Sequence, residues 1–291
     1  MVKKIIKIIS IISFSALLCF SGCSLDFLGL FHSSDLDARL KERNNFVFLD
    51  GKERNWKELN LGDSNEYSFI VITDTHIQEK NGGKFTKDKE NRLRNLKNVI
   101  TSDVKFAVHL GDVTQSGHAE EIDKFIEIAD SLNIPVYPVI GNHDVYFNNF
   151  EKEWKIKIGS TSYRIDGSGD KSGVTLFILD SANSFFGKEQ LDWLERELKY
   201  TKKAVFVFTH APLFVQGPID MQQITDTKER ARIVSILRNK CDIMFAGHSH
   251  KRSYYEAGNV KFVTIEDFKD SKAYCVVTVD QGKITYKIST F

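Results

Sequence analysis

The sequence predicts an α/β fold of two packed sheets with helices outside. Two observations carry that expectation: strand and helix patterns alternate from Tyr67 to Ala246, and several strand patterns follow in the tail from Ser253 to Ile288. A length of 291 residues allows one large domain or two small ones. No internal repeat or low-complexity stretch divides the chain, so one domain over 46–291 is the simplest reading.

The elements follow from local pattern. Residues 46–61 read as a hairpin, because Asp50-Gly51 between two short segments favours a tight primed turn. Residues 69–72, Phe-Ile-Val-Ile, form an unbroken apolar run and read as a buried strand. A helix is expected over 87–100 and a strand over 105–110. Over 118–132, Ile122, Phe125, Ile126 and Ala129 share one helical face. Strands are expected at 135–140, 174–179, 204–208 and 242–246. Leu191, Leu194 and Leu198 mark one intervening helix, and 226–239 another. In the tail, Gly258 and Gly282 supply turns between strands.

The N-terminus reads differently. Lys3, Lys4 and Lys7 precede an apolar run over 8–20, and the small residues Ser21 and Gly22 follow. That order is a secretory signal, and the run falls short of the ~20 apolar residues a membrane span needs. Phe20-Ser21-Gly22-Cys23 resembles the lipobox of bacterial lipoproteins, with Phe20 where that motif usually has Leu. The resemblance implies removal of residues 1–22, lipid on Cys23, a tether over 23–45, and a chain exported and anchored to a bacterial membrane. Plain secretion or an uncleaved anchor is the alternative.

Composition narrows the class. With 42% hydrophobic and 27% charged residues the chain can bury a sizeable core, and nothing points to disorder. The whole chain carries 40 Lys and Arg against 39 Asp and Glu. Without the three lysines of 1–22, 37 bases face 39 acids, a net charge of −2. Such a body gives no electrostatic reason to expect nucleic acid as a partner. Of the four cysteines, Cys241 and Cys275 lie in the folded part, and no CxxC pair exists to hold a thiolate zinc. They are read as one disulfide or two buried free thiols.

Five of the eight histidines follow expected strands, most of them close to Asp, Asn or Gly. The segments are Asp74-Thr-His76, Gly111-Asp112, Gly141-Asn142-His143-Asp144, His210, and Gly247-His248-Ser-His250. Carboxyl ends of strands in such sheets open into a shared crevice, so these loops can converge. Their oxygens and imidazole nitrogens suit divalent Mn, Fe or Zn. Seven side chains exceed what one ion takes from protein, and a carboxylate can bridge two; a pair of cations roughly 3.5–4 Å apart suits in-line phosphoryl displacement. The glycines are read as letting backbone pass close to the ions. Singly, each motif has a structural reading: Asp74 or Asp112 as a helix cap, His210 as a turn residue. Together they favour a metal site, because cations satisfy so many convergent polar groups.

The ordered set DxH, GD, GNHD, H and GHxH, spanning 74–250, resembles the calcineurin-like metallophosphoesterase superfamily. The resemblance implies a four-layer α/β/β/α sandwich and hydrolysis of a small phosphomonoester or phosphodiester by water activated between two divalent metal ions. It implies Asp74, His76, Asp112 and His250 at one cation, and Asp112, Asn142, His210 and His248 at the other, with Asp112 bridging. His143 resembles the family's catalytic histidine, which contacts the phosphate and aids the leaving group, and Asp144 is expected to orient its imidazole. Purple acid phosphatases differ, with Gly in place of His76 and a metal-binding Tyr in place of Gln115. The competing class is a surface lipoprotein using the fold as a non-catalytic binding scaffold. His109 is expected in the core or just behind the ligands, His118 at a helix start, and Trp193 on a packing face. Tyr146, Phe147, Phe214 and Tyr254 lie near the motif loops and are read as packing before pocket lining.

Overall fold

The computed structural model describes residues 47–48, 59–62, 66–80, 84–85, 93–145, 153–168, 173–215 and 222–291. The signal, the tether, Cys23, Tyr146, Phe147 and most of the 46–61 hairpin lie outside them, as does the first half of the 87–100 helix. Leu40–Phe291 forms one compact unit.

Two sheets face each other. The first runs β14(Lys283–Thr290), β13(Ala273–Asp280), β2(Glu66–Ile72), β5(Val104–His109), β6(Val136–Pro138). The second runs β1(Val47–Phe48), β7(Tyr163–Ser168), β8(Gly173–Ile178), β9(Ala204–Phe208), β10(Ile243–Ala246), β12(Val260–Thr264), β11(Ser253–Ala257). A small ribbon pairs β3(Glu79–Lys80) with β4(Lys84–Phe85). In the first sheet β2, β5 and β6 are parallel; in the second, β8, β9, β10 and β12 are parallel. Parallel strands are covered on both faces and so read as continuous apolar runs, which is why β2 and β9 were legible.

Three apolar layers account for four structural ones. Phe69, Val71, Phe106, Phe206, Phe208 and Phe245 fill the space between the sheets, with Phe69 stacked on Phe106 at 4.6 Å and edge-on to Phe206 at 4.9 Å. Outside the first sheet, helix α1(Ala119–Ser131) sets Ile122, Phe125, Ile128 and Ala129 against Ile70, Ile72 and Ala107. The short α2(Trp154–Lys157) adds Trp154 to the same layer. Outside the second, α3(Lys188–Glu197) and α4(Thr227–Leu237) bring Leu191, Trp193, Leu194, Ile233 and Leu237 onto Phe177, Val205 and Val207. The α/β/β/α sandwich is the architecture of this chain. His118 is the residue preceding α1, and Trp193 packs edge-on to Phe177, both as expected.

Three features go beyond the sequence reading. Val47–Phe48 pairs in parallel with Tyr163–Arg164, a partner no local pattern announces, and the expected turn at 50–51 lies outside the described residues. Of the expected 87–100 helix, Leu93 and Arg94 are α-helical and pass into a 3₁₀ turn over Asn95–Val99, so its last turns are wound more tightly than expected. Strand β7 was not anticipated, because Tyr-Arg-Ile-Asp-Gly-Ser has no apolar run. Its buried Arg164 is held by Asp166 at 2.8 Å, Glu197 at 3.0 Å and the Tyr200 carbonyl at 2.6 Å, so the guanidinium can lie inside at little cost. Cys241 and Cys275 are free, buried thiols in different core layers.

Candidate metal centre

Every parallel strand that precedes a motif delivers it to the same edge of the sandwich. Asp74 and His76 follow β2, Asp112 follows β5, and Asn142, His143 and Asp144 follow β6; His210 follows β9, and His248 and His250 follow β10. The loops then lock to one another. Asp74 N–H donates to the Gly111 carbonyl and His76 N–H to the Asp112 carbonyl, each at 3.0 Å. Two bonds tie the sheets together: His248 N–H donates to Asp74 Oδ2 at 3.0 Å, and His210 Nδ1 donates to the Leu110 carbonyl at 2.8 Å.

The side chains meet as three overlapping groups: Asp74, His76 and His250; His76, Asp112 and His143; Asp112, His210 and His248, with the ligand atoms of each within 4.8 Å of one another. Within the first, His250 Nε2 lies 3.1 Å and His76 Nε2 3.7 Å from Asp74 Oδ1. Asp112 turns its oxygens apart: Oδ2 is 3.6 Å from His76 Nε2, Oδ1 is 3.4 Å from His210 Nε2. Asn142 Oδ1 is 3.0 Å from His210 Nε2. Donors sharing one cation at ~2.1 Å sit about 3–3.5 Å apart, so the separations fit two cations sharing Asp112. Asp74 and Asp112 are fully buried, as are His76 and His210, and buried groups of this kind call for a metal or a charged partner.

The electrostatics agree. Burial pushes the Asp74 carboxyl up, but hydrogen bonds from His250 and His76 prevail and hold it well below the usual range. Asp112 is likewise lowered against its burial by His210. Burial lowers His210, yet Asp112 and Asp74 raise it to about 9. Burial and the charge of His210 push His248 down to about 4, which leaves its imidazole neutral and able to ligate.

Backbone conformation is special at these positions. Asp74, His76, Asp112, His248 and His250 all adopt positive φ, between 45° and 64°, a region that non-glycine residues seldom occupy. The glycines make room for side chains at the site. A Cβ on Gly141 would lie 2.2 Å from Asp112 Oδ1, and one on Gly247 1.9 Å from Thr73 Oγ1 and 2.8 Å from Asp74 Oδ2.

His143 lies beside the centre, its ring 4.5 Å from that of His76. Its Nδ1 meets the Gln115 carbonyl at 2.8 Å, and the ring lies in one group with His76 and Asp112. Asp144 does not hold this ring in the way expected. Its carboxylate accepts from Thr114 N–H at 2.9 Å, Thr114 Oγ1 at 2.7 Å and Gly141 N–H at 2.9 Å, bolting the loop after β6 to the loop after β5. Burial, then the charge of Asp112, push Asp144 up to about 7 against those donors. Sequence reasoning missed Gln115 in this role, because a main-chain carbonyl has no residue signature. Phe214 packs against Tyr255 and Phe262, and the Tyr254 hydroxyl donates to Glu256, so both are accounted for as packing and surface contacts.

Known proteins resemble this chain in sequence and in fold. The chain is 28% identical over 198 residues, 63% of its length and 72% of the relative's, to a probable glycerophosphodiester phosphodiesterase of Arcobacter nitrofigilis. It is 26% identical over 187 residues, 62% of its length and 71% of the relative's, to a probable cyclic nucleotide phosphodiesterase of Fibrobacter succinogenes. In structure it resembles a dimetal phosphatase of Danio rerio, with a TM-score of 0.57 at 16% identity, covering 76% of this chain and 95% of the other. It also resembles a purple acid phosphatase of yellow lupin, with a TM-score of 0.58 at 12% identity, covering 79% and 52%. The profile of the calcineurin-like phosphoesterase family matches residues 67–252, the span that carries every motif above. The chain belongs to that family and is a metal-dependent phosphoric ester hydrolase.

Proposed function

We propose that the chain is an exported, lipid-anchored phosphodiesterase acting on small phosphodiesters with two divalent cations, Mn, Fe or Zn. The observation that carries the reading is Asp112, whose two oxygens face different imidazoles. One cation would rest on Asp74, His76, Asp112 and His250, the other on Asp112, Asn142, His210 and His248. Such a pair supplies Lewis acidity and activates water near neutral pH.

The chain's own groups do the rest. The Asn142 amide lies against His210 and can hold a phosphoryl oxygen as its charge grows. His143, fixed at Nδ1 by the Gln115 carbonyl, offers Nε2 to protonate the departing alcohol oxygen. Asp144 contributes by positioning the loops. A diester preference is supported by the names of the two relatives, which are glycerophosphodiester and cyclic nucleotide phosphodiesterases. Export and anchoring are supported by the lysine-led apolar run and Cys23. Among the described residues no helix is long and apolar enough to cross a membrane. An exported site favours phospholipid headgroup esters and extracytoplasmic nucleotides as substrates. Nothing favours the non-catalytic scaffold, since all seven ligand residues and His143 stand together.

The test loads purified protein with Mn(II), Fe(II) or Zn(II) and compares bis-p-nitrophenyl phosphate with p-nitrophenyl phosphate, followed by glycerophosphodiesters and cyclic nucleotides. Faster turnover of the diesters is expected, and inertness toward all of them sinks the proposal. Incorporation of labelled fatty acid, lost in Cys23→Ala, tests the anchor.

A further inference from the structure

We propose that His109 and Thr75 form a buried positioning pair that sets the two loops carrying Asp74, His76 and Asp112. The inference rests on those three residues being cation ligands, as proposed above. His109 closes β5 and is fully buried; Thr75 lies between Asp74 and His76 and is 1% exposed. His109 belongs to none of the ligand groups, and the Thr75 hydroxyl is engaged with His109 and the Val113 carbonyl.

Their hydrogen bonds have one possible direction. Gly111 N–H can only donate, so His109 Nδ1, 3.3 Å away, accepts and carries no proton. The Val113 carbonyl can only accept, so the Thr75 hydroxyl, 3.0 Å away, donates its single hydrogen there. The Thr75 oxygen, 2.9 Å from His109 Nε2, is left as acceptor, and Nε2 carries the ring proton. The ring is therefore neutral and of one tautomer. Burial likewise pushes its pKa down to about 3. Phe125 of α1 packs edge-on at 5.6 Å and fixes the ring plane.

What the pair holds is backbone at an uncommon conformation. Asp74 and His76 on either side of Thr75 have φ of 54° and 45°, and Gly111 and Asp112 have φ of 100° and 52°. Such conformations persist only where surrounding contacts over-determine them. The relay from Gly111 through His109 and Thr75 to Val113 ties the β2 loop to both sides of Asp112. Groups behind metal ligands typically change metal affinity or activity 10–100-fold when lost.

The first measurement needs no variant. Full-length protein in detergent, labelled with ¹⁵N-histidine and loaded with diamagnetic Zn(II), is examined by long-range ¹H–¹⁵N correlation, with His109 assigned from its absence in His109→Gln. A proton on Nε2 and a bare Nδ1, unchanged through the neutral pH range, are expected. The second compares Thr75→Val with Thr75→Ser for Mn(II) affinity by calorimetry and for kcat and KM. Thr75→Val should lose about 10–100-fold in Mn(II) affinity with a fall in kcat larger than the rise in KM, and Thr75→Ser should recover most of it. An Nδ1–H tautomer, or wild-type Mn(II) affinity in Thr75→Val, overturns the pair. If the wild-type chain takes up no Mn(II), the ligand assignment falls instead, and the tautomer spectrum still decides the pair.

Discussion

His143 and Gly247 show how much of this site is decided by single atoms. With Nδ1 held by the Gln115 carbonyl, the proposed role of His143 is to give the departing oxygen a proton from Nε2 as the imidazolium. His143→Ala should therefore cost about 10²–10⁴ in kcat for an alkoxide leaving group. It should cost less for p-nitrophenolate, which departs without help. Equal losses on the two substrates, measured side by side, would exclude the acid role. Gly247 tests fit rather than chemistry. A methyl group there meets Thr73 Oγ1 and Asp74 Oδ2, neither of which can retreat, because Asp74 also holds His248 N–H and His250. Gly247→Ala should lower stability by about 1–3 kcal/mol, as overpacking does. It should also weaken Mn(II) binding, which titration followed by thermal unfolding would reveal. Wild-type values for both would mean the loop after β10 is free to shift.

At the level of the element, legibility depended on whether a residue's chemistry or its surroundings set the structure. The hairpins β11–β12 and β13–β14 were readable from Gly258 and Gly282. Each turn has two residues at positive φ, Gly258-Asn259 at 61° and 61° and Gln281-Gly282 at 49° and 85°, the geometry two-residue hairpins favour. Strands β2, β9 and β10 were readable because both faces are covered. The candidate site motifs stood out because five of them after apolar runs together outweigh the structural reading each has alone. Strand β7 was hidden because its buried arginine is satisfied by residues 2 to 36 positions away. The role of Asp144 was hidden because its partners are Thr114, in the loop after β5, and the backbone N–H of Gly141 in its own loop. Gly282→Ala separates stability from function at this scale. Its Cβ would meet only the flexible end of Lys203, so the cost is that of positive φ, about 1 kcal/mol. Unfolding in urea should show that loss with kcat unchanged; a fall in kcat would show that the hairpin communicates with the site.

Taken whole, the molecule divides its proposed ligands between its sheets. Asp74, His76, Asp112 and Asn142 come from the loops of the first sheet, and His210, His248 and His250 from those of the second. Cations bound by both sets would join two layers otherwise held by the apolar contact between them and a few loop hydrogen bonds. A ligand that binds only the folded state stabilises it by about 2.7 kcal/mol at a hundred times its Kd. For a domain of this size each kcal/mol moves Tm by about 2–4 °C. Chelation should therefore abolish activity and lower Tm by about 5–10 °C, and restoring Mn(II) should recover both together. His210→Ala removes a second-sheet ligand and should shrink the Tm difference between loaded and chelated protein. A surface substitution such as Lys199→Ala should leave that difference unchanged. If activity returned with metal while Tm stayed fixed, the cations would be bound by one sheet alone, and the shared geometry at Asp112 would have to be redrawn.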